Sequence, residues 1–167
     1  MSKHFTNRSQ RANCAAAALL LAALSGHAHA ETMNVTATVL EVCELGTITD
    51  ADFGDLTPGS LVDGTAAGSV QWRCSDNTNA SITIDQGLNT DRTMSGPGTD
   101  TIAYELYKDA PRTEIWGDTV ADDLDVTGTG MASFTTETVY GEVLHDDYVD
   151  AAQGAYSDTV TVLIEIN

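Results

Sequence analysis

From Met33 to Val39 the chain alternates. Met33, Val35, Ala37 and Val39 fall at every second position, with Asn34, Thr36 and Thr38 between them. A period of two is that of a strand with one apolar and one polar face. The run Met33 to Val42 is therefore expected to be a strand. Leu45 to Pro58 follows, with a bend or bulge at Phe53-Gly54 and a turn at Pro58-Gly59. Ser69 to Cys74 places Val70, Trp72 and Cys74 on one face, and Trp72 is expected in the core. Ser81 to Asp85 alternates through Ile82 and Ile84. Gly87 to Asp100 is rich in turn residues and reads as a loop. Ile102 to Tyr107 returns to strand character, with Ile102, Tyr104 and Leu106 on one side. After a turn around Pro111 and a short Ile115-Trp116 piece, Ala121 to Gly130 reads as an acidic loop. Ala132 to Phe134 and Thr138 to Leu144 read as strands, His145 to Gly154 as a loop, and Asp158 to Asn167 as the final strand. After Ala30 no long stretch keeps a period of 3.6. Short strands between turn clusters predict an all-β antiparallel sandwich or barrel.

The final strand is the most apolar. Val160, Val162, Ile164 and Ile166 share a face, and no later residues are expected to cover it. Such an edge is a template for uncontrolled pairing unless something occupies it. The alternating N-terminal run can do so in cis, or another copy can supply it in trans; spacing alone does not decide. Large side chains buried there would each contribute about 1.5–3 kcal/mol before entropy costs. A backbone ladder would accompany them.

Residues 1–30 have the three parts of an export leader. Lys3, Arg8 and Arg11 come first, then the apolar run Ala15 to Leu24, then Ala28-His29-Ala30 as a cleavage site. That run is too short to span a bilayer, and no transmembrane segment is expected in the mature chain. The domain expectation is a leader over 1–30, an N-terminal strand over 31–42 and one domain over 43–167. Of the 7 basic residues the leader holds three and of the 25 acidic ones none, so the four left against 25 give the mature part a charge of −21. That sign disfavours a nucleic-acid partner. Cys43 and Cys74 are the cysteines left after cleavage, and in an exported chain they favour one disulfide. A metal pair or a catalytic thiol would want a histidine near them in sequence, and none is there.

Other candidate chemistry is thin. Tyr104 and Tyr107 read more readily as half-buried sheet residues than as a ligand platform. Asp91-Arg92 reads as a charged turn. His145 beside Asp146 and Asp147 is an incomplete metal ligand set. Asp118 to Asp125 lacks the glycine and terminal glutamate of a calcium loop. Asn34-Val-Thr and Asn79-Ala-Ser fit a glycosylation code in a chain whose leader looks bacterial. No nucleophile elbow, zinc-protease or phosphate-loop motif occurs. No enzyme activity and no cofactor are expected.

A set of short stretches, in order, carries a resemblance. They are Cys43, Phe53-Gly54 with Pro58, Val70 to Cys74, Ile82 to Gly87, Asp91 to Met94, Ala103 to Thr113, Trp116-Gly117-Asp118, Val139-Tyr140-Gly141 and Gly154 to Val162. Together the sequence resembles the spore coat protein U domain family, which includes subunits of archaic (Csu-type) chaperone–usher pili. The resemblance implies an incomplete immunoglobulin-like sandwich lacking its last strand. A periplasmic chaperone would lend a strand first, and a neighbouring subunit's N-terminal strand would replace it at an outer-membrane usher. It further implies Met33, Val35, Ala37 and Val39 as donor side chains and Cys43 with Cys74 as the family's disulfide. Val160, Val162, Ile164 and Ile166 become a wall of the acceptor groove. The expected role is a surface pilus subunit supporting adhesion and biofilm formation. The alternative is a self-contained secreted coat or carbohydrate-binding module, with the N-terminal strand paired in cis.

Overall fold

A computed structural model describes residues 28–167. The expected leader over residues 1–30 lies, up to residue 27, outside the described residues. The chain divides into two units, Met1–Ala37 and Thr38–Asn167. In the first, residues 28–37 carry no regular secondary structure and are exposed.

The second unit begins its regular structure at Cys43. Its strands are β1 (Cys43–Thr49), β2 (Gly64–Cys74), β3 (Asn79–Ile84), β4 (Thr93–Ser95), β5 (Thr101–Ala103), β6 (Glu105–Tyr107), β7 (Leu124–Thr127), β8 (Thr135–Val143) and β9 (Val162–Ile166). One helical turn, α1 (His145–Tyr148), precedes β9. The strands form a four-stranded sheet in the order β1-β2-β8-β6, a three-stranded sheet in the order β7-β3-β9, and a small β4-β5 pair. All pairings are antiparallel.

This order has a structural reading. An immunoglobulin sandwich places its first, second, fifth and fourth strands in one sheet and its third, sixth and seventh in the other. With β1, β2, β3, β6, β8 and β9 taken as strands one to six, both sheets match, and β7 is an addition beside β3. The seventh strand would lie beside β9, and there β9 is an edge. The all-β antiparallel expectation is met, and among the described residues the sandwich is short of its last strand.

The core lies between the two main sheets. β2 alternates buried and wet positions along its whole length, so Val70, Trp72 and Cys74 face Ala80, Ile82 and Ile84 of β3 across it. Trp116 is fully buried and donates its indole N–H to the Ile82 carbonyl at 2.8 Å. Cys43 and Cys74 are partners in the β1–β2 ladder and are disulfide-bonded, with 4.1 Å between their Cα atoms.

Several expectations need correction. Met33 to Val42 carries no strand in the single chain, where its exposed backbone has no ladder partner; its expected pairing is with a second copy. The acidic loop Ala121 to Gly130 contains β7: Leu124 and Val126 reach the core while Asp125 and Thr127 point outward. Ala132 to Phe134 is a turn rather than a strand, and the Phe134 ring lies under the Arg73 guanidinium at 4.3 Å. The Gly87 to Asp100 loop contains β4, and the His145 to Gly154 loop contains α1, whose Tyr148 is buried. The final strand is shorter than Asp158 to Asn167 and begins at Val162.

Candidate functional site

Arg92 organises one end of the sandwich. It lies at the close of the β3–β4 connection with φ at +54° and is 2 % exposed. Its Nε donates to the Asp85 carbonyl (2.9 Å), and its Nη2 to the carbonyls of Ile84 (2.9 Å) and Trp116 (2.8 Å). Its Nη1 pairs with Glu105 at 3.2 Å. The charge partner is thus Glu105, not the adjacent Asp91, which accepts from the Thr93 hydroxyl. These bonds fix Ile84, and Glu105 and Trp116 in turn bond the backbone of Leu106; Ile84 and Leu106 are two floor residues of the site.

The site is a cleft of about 1260 Å³. Its floor is the buried apolar face of both sheets, with Val70, Ile84, Leu106 and Val139. One wall is Ile48 to Leu56, the end of β1 and the segment after it; the other is Gln153 to Val160 with Val162. Ile102, Tyr104 and Tyr148 line it as well. The volume exceeds the 300–1,000 Å³ of ordinary small-molecule pockets, and the lining includes Val162 of β9 and Val160 just before it. A bulge in β1 between Leu45 and Ile48 bends this strand, and Ile48 is its first residue in the cleft. Gly54, with φ at +64° in an Asx turn closed by Asp52, turns the wall back.

The β9 wall has a parity. Asp85 N–H donates to the Thr161 carbonyl, Leu88 N–H to the Thr159 carbonyl, and Asn167 N–H to the Asn79 carbonyl. The Thr161 N–H in turn donates to the Asp85 carboxylate at 2.8 Å. Odd-numbered residues therefore bond inward to the sheet. In an antiparallel ladder the even-numbered N–H and C=O groups then point to the other edge. Among the described residues that edge has no strand partner. The side chains of the same even residues turn toward the core: Val160, Val162 and Ile164 are half-buried and pack on it.

Hydrogen bonds hold this wall. Burial pushes the Asp85 carboxyl up, but the bonds it accepts from Thr161 and Gly87 outweigh this and keep it below the ordinary carboxylate value. Tyr104 donates its hydroxyl to Asp158 at 2.7 Å, and burial followed by that bond pushes its phenol well up. Tyr107 donates to Glu142. Both tyrosines are committed within the sheets.

The cleft contains Val160 and Val162 of the expected groove set. Ile164 packs deeper on the core, and Ile166 is 43 % exposed beyond the cleft, beside the disulfide end of the sandwich. In the N-terminal run Met33, Val35 and Val39 are 84–90 % exposed. Ala37 is exposed too. The Asp50–Leu56 wall, Tyr148 and Tyr156 were not singled out as cleft residues by sequence; the Phe53-Gly54 bend is the one local sign of that wall. Among the described residues no group of His, Cys, Asp or Glu is arranged to hold a metal, and no helix is long and apolar enough to cross a membrane.

Comparison with known proteins places the chain. Protein U of Myxococcus xanthus is 31 % identical over 150 residues, covering 79 % of this chain and 82 % of that one. Among solved structures, the chaperone–tip adhesion subunit pre-assembly complex of the archaic chaperone-usher Csu pili of Acinetobacter baumannii aligns at a TM-score of 0.48 and 24 % identity. That alignment covers 77 % of this chain and 40 % of the other. The sequence profile of the Spore Coat Protein U domain matches residues 29–163, and the chain belongs to the Spore Coat Protein U domain family.

Proposed function

We propose that this protein is a structural subunit of a surface pilus that polymerises by donor-strand complementation. The observation that carries the reading is the β9 edge. It lacks a strand partner among the described residues, lies beside an apolar cleft, and occupies the place next to which an immunoglobulin sandwich keeps its seventh strand. An incoming strand there would gain a backbone ladder from Val160, Val162 and Ile164 and apolar burial on the floor. The complementary strand is the N-terminal run of another copy, with Met33, Val35, Ala37 and Val39 inserted. Its apolar side chains are exposed and its backbone is outside any ladder. The acceptor side is Val160 and Val162, with Ile164 and Ile166 extending the edge. Before assembly a periplasmic chaperone supplies the strand, and an outer-membrane usher exchanges it, as the family resemblance implies. The product is a pilus on the cell surface that supports adhesion and biofilm formation. The role is structural rather than catalytic.

The test is deletion of Glu31 to Leu40 from the exported chain, read by electron microscopy of secreted and cell-surface material. The expected result is loss of rods with the soluble domain still exported. Rods that persist after the deletion would overturn the proposal.

A further inference from the structure

The cleft mouth is charged on both walls. Asp50, Asp52 and Asp55 stand on the β1 side and Asp158 on the β9 side. Among the described residues lining the cleft there is no lysine or arginine. The hydrogen bonds these carboxylates accept come from neutral donors: Gly54 N–H to Asp52, and Leu88 N–H and the Tyr104 hydroxyl to Asp158. None of the four is in an ion pair among the described residues. The mouth therefore keeps its negative charge uncompensated, above an apolar floor that focuses the field.

The N-terminal arm answers this in its composition. In a chain with 25 acidic residues, Thr32 to Leu40 carries no charge and is bracketed by Glu31 and Glu41. With Met33, Val35, Ala37 and Val39 turned to the floor, Asn34, Thr36 and Thr38 face away from it, on the mouth side. A carboxylate at any of these three positions would add like charge at the mouth, a repulsion that physiological salt screens over about 8 Å. Rim charges act mostly on the rate of encounter and on which partner is accepted.

We propose that the carboxylate mouth is a charge filter: it admits the uncharged Thr32–Leu40 arm of a second copy and slows acidic strands, so that the difference between their entry rates shrinks as ionic strength rises. This rests on the donor-strand reading above and adds to it the rule by which the cleft selects its strand. Acidic residues outnumber basic ones 25 to 7 in this chain, so a filter of this sign keeps acidic segments of neighbouring copies out of the cleft.

The experiment uses the exported chain and fluorescent synthetic peptides spanning Glu31–Val42: the native sequence, Thr36→Asp and Thr36→Lys. Association is followed by anisotropy at about 20 and 300 mM NaCl. At low salt the Thr36→Lys peptide is expected to associate about fivefold faster than the native one, and the Thr36→Asp peptide about fivefold slower. At high salt the three should agree within about twofold. A protein carrying Asp50→Asn, Asp52→Asn and Asp55→Asn should lose most of the spread at low salt. Rates within twofold of each other at low salt, or a spread that survives both high salt and the triple variant, overturn the filter while leaving strand entry intact. Failure of every peptide to bind at either salt overturns the donor-strand reading, and the filter with it.

Discussion

Arg92→Met tests how the floor of the cleft is held. The guanidinium is 2 % exposed and makes four hydrogen bonds, three to the carbonyls of Ile84, Asp85 and Trp116 and one to Glu105. Methionine fills much of the volume but donates nothing. A buried acceptor left unmatched costs about 1–3 kcal/mol. Glu105 is 33 % exposed and regains water, so its share is small. Three carbonyls at about 1–1.7 kcal/mol each, in the lower half of that range, give a loss of about 3–5 kcal/mol. That is a large part of the 5–15 kcal/mol that usually holds a domain together. Arg92→Lys keeps the charge but cannot bridge three carbonyls and a carboxylate at once, so about half that loss is expected. Trp72 and Trp116 are both buried, and their fluorescence reports urea unfolding. The midpoint should fall with the slope unchanged. An Arg92→Met midpoint within about 1 kcal/mol of the parent would refute the view that this side chain satisfies the end of β3.

Three further outcomes follow from the structure. Reducing Cys43–Cys74, which closes a separation of 31 residues, should cost about 3.5–4 kcal/mol and lower Tm by about 10–15 °C, read by calorimetry with and without reductant; equal melting would contradict it. Gly68→Ala would place a Cβ 2.7 Å from the Thr49 carbonyl and 3.2 Å from the Ala51 N–H, so β1 must shift; a loss of about 1–3 kcal/mol and slower strand entry are expected, and unchanged stability would contradict the close approach. His145 donates from its ring to Asp63 (2.9 Å) and Asp146 (3.1 Å), clasping the Val62-Asp63 segment to α1, while Tyr148 donates to the Val62 carbonyl. The Asp63 bond chiefly holds the imidazole above its ordinary 6.5, and the His145 N–H and ring hold the Asp63 carboxyl below its ordinary 3.8. The histidine contribution is full below 6.5 and lost as pH rises through the raised value; the Asp63 contribution is present above 3.8 and lost as pH falls through the lowered one. Amide exchange at His145 should thus open faster, beyond the intrinsic base dependence, as pH rises through the raised imidazole value, and His145→Gln should remove that excess; an identical profile in the variant would contradict the clasp.

Much of this architecture is legible in the sequence because burial imposes a period of two. Val70-Trp72-Cys74 and Ile82-Ile84 mark the facing core strands, and Val160-Val162-Ile164 marks the edge by its parity. The misses share a cause. β7 hides in an acidic stretch because an edge strand tolerates Asp125 on its wet face. Ala132 to Phe134 looks like a strand because its apolar content serves an Arg73 stack instead of a ladder. The reach of Arg92 to carbonyls 7, 8 and 24 residues away has no local pattern to announce it. Likewise the cleft walls come from the connections after β1 and before β9, and connections carry no period.

The central claim is that a second copy's arm completes the sheet at β9, and the parity of β9 makes that claim sharp. Hydrogen exchange resolved by residue, on the exported chain with and without the Glu31–Val42 peptide, measures it directly. The prediction is strong new protection at the N–H groups of Val160, Val162 and Ile164, with Thr161 little changed because its N–H already bonds Asp85. Protection that appears equally at odd and even residues, or none at Val160 and Val162 under saturating peptide, would contradict the account.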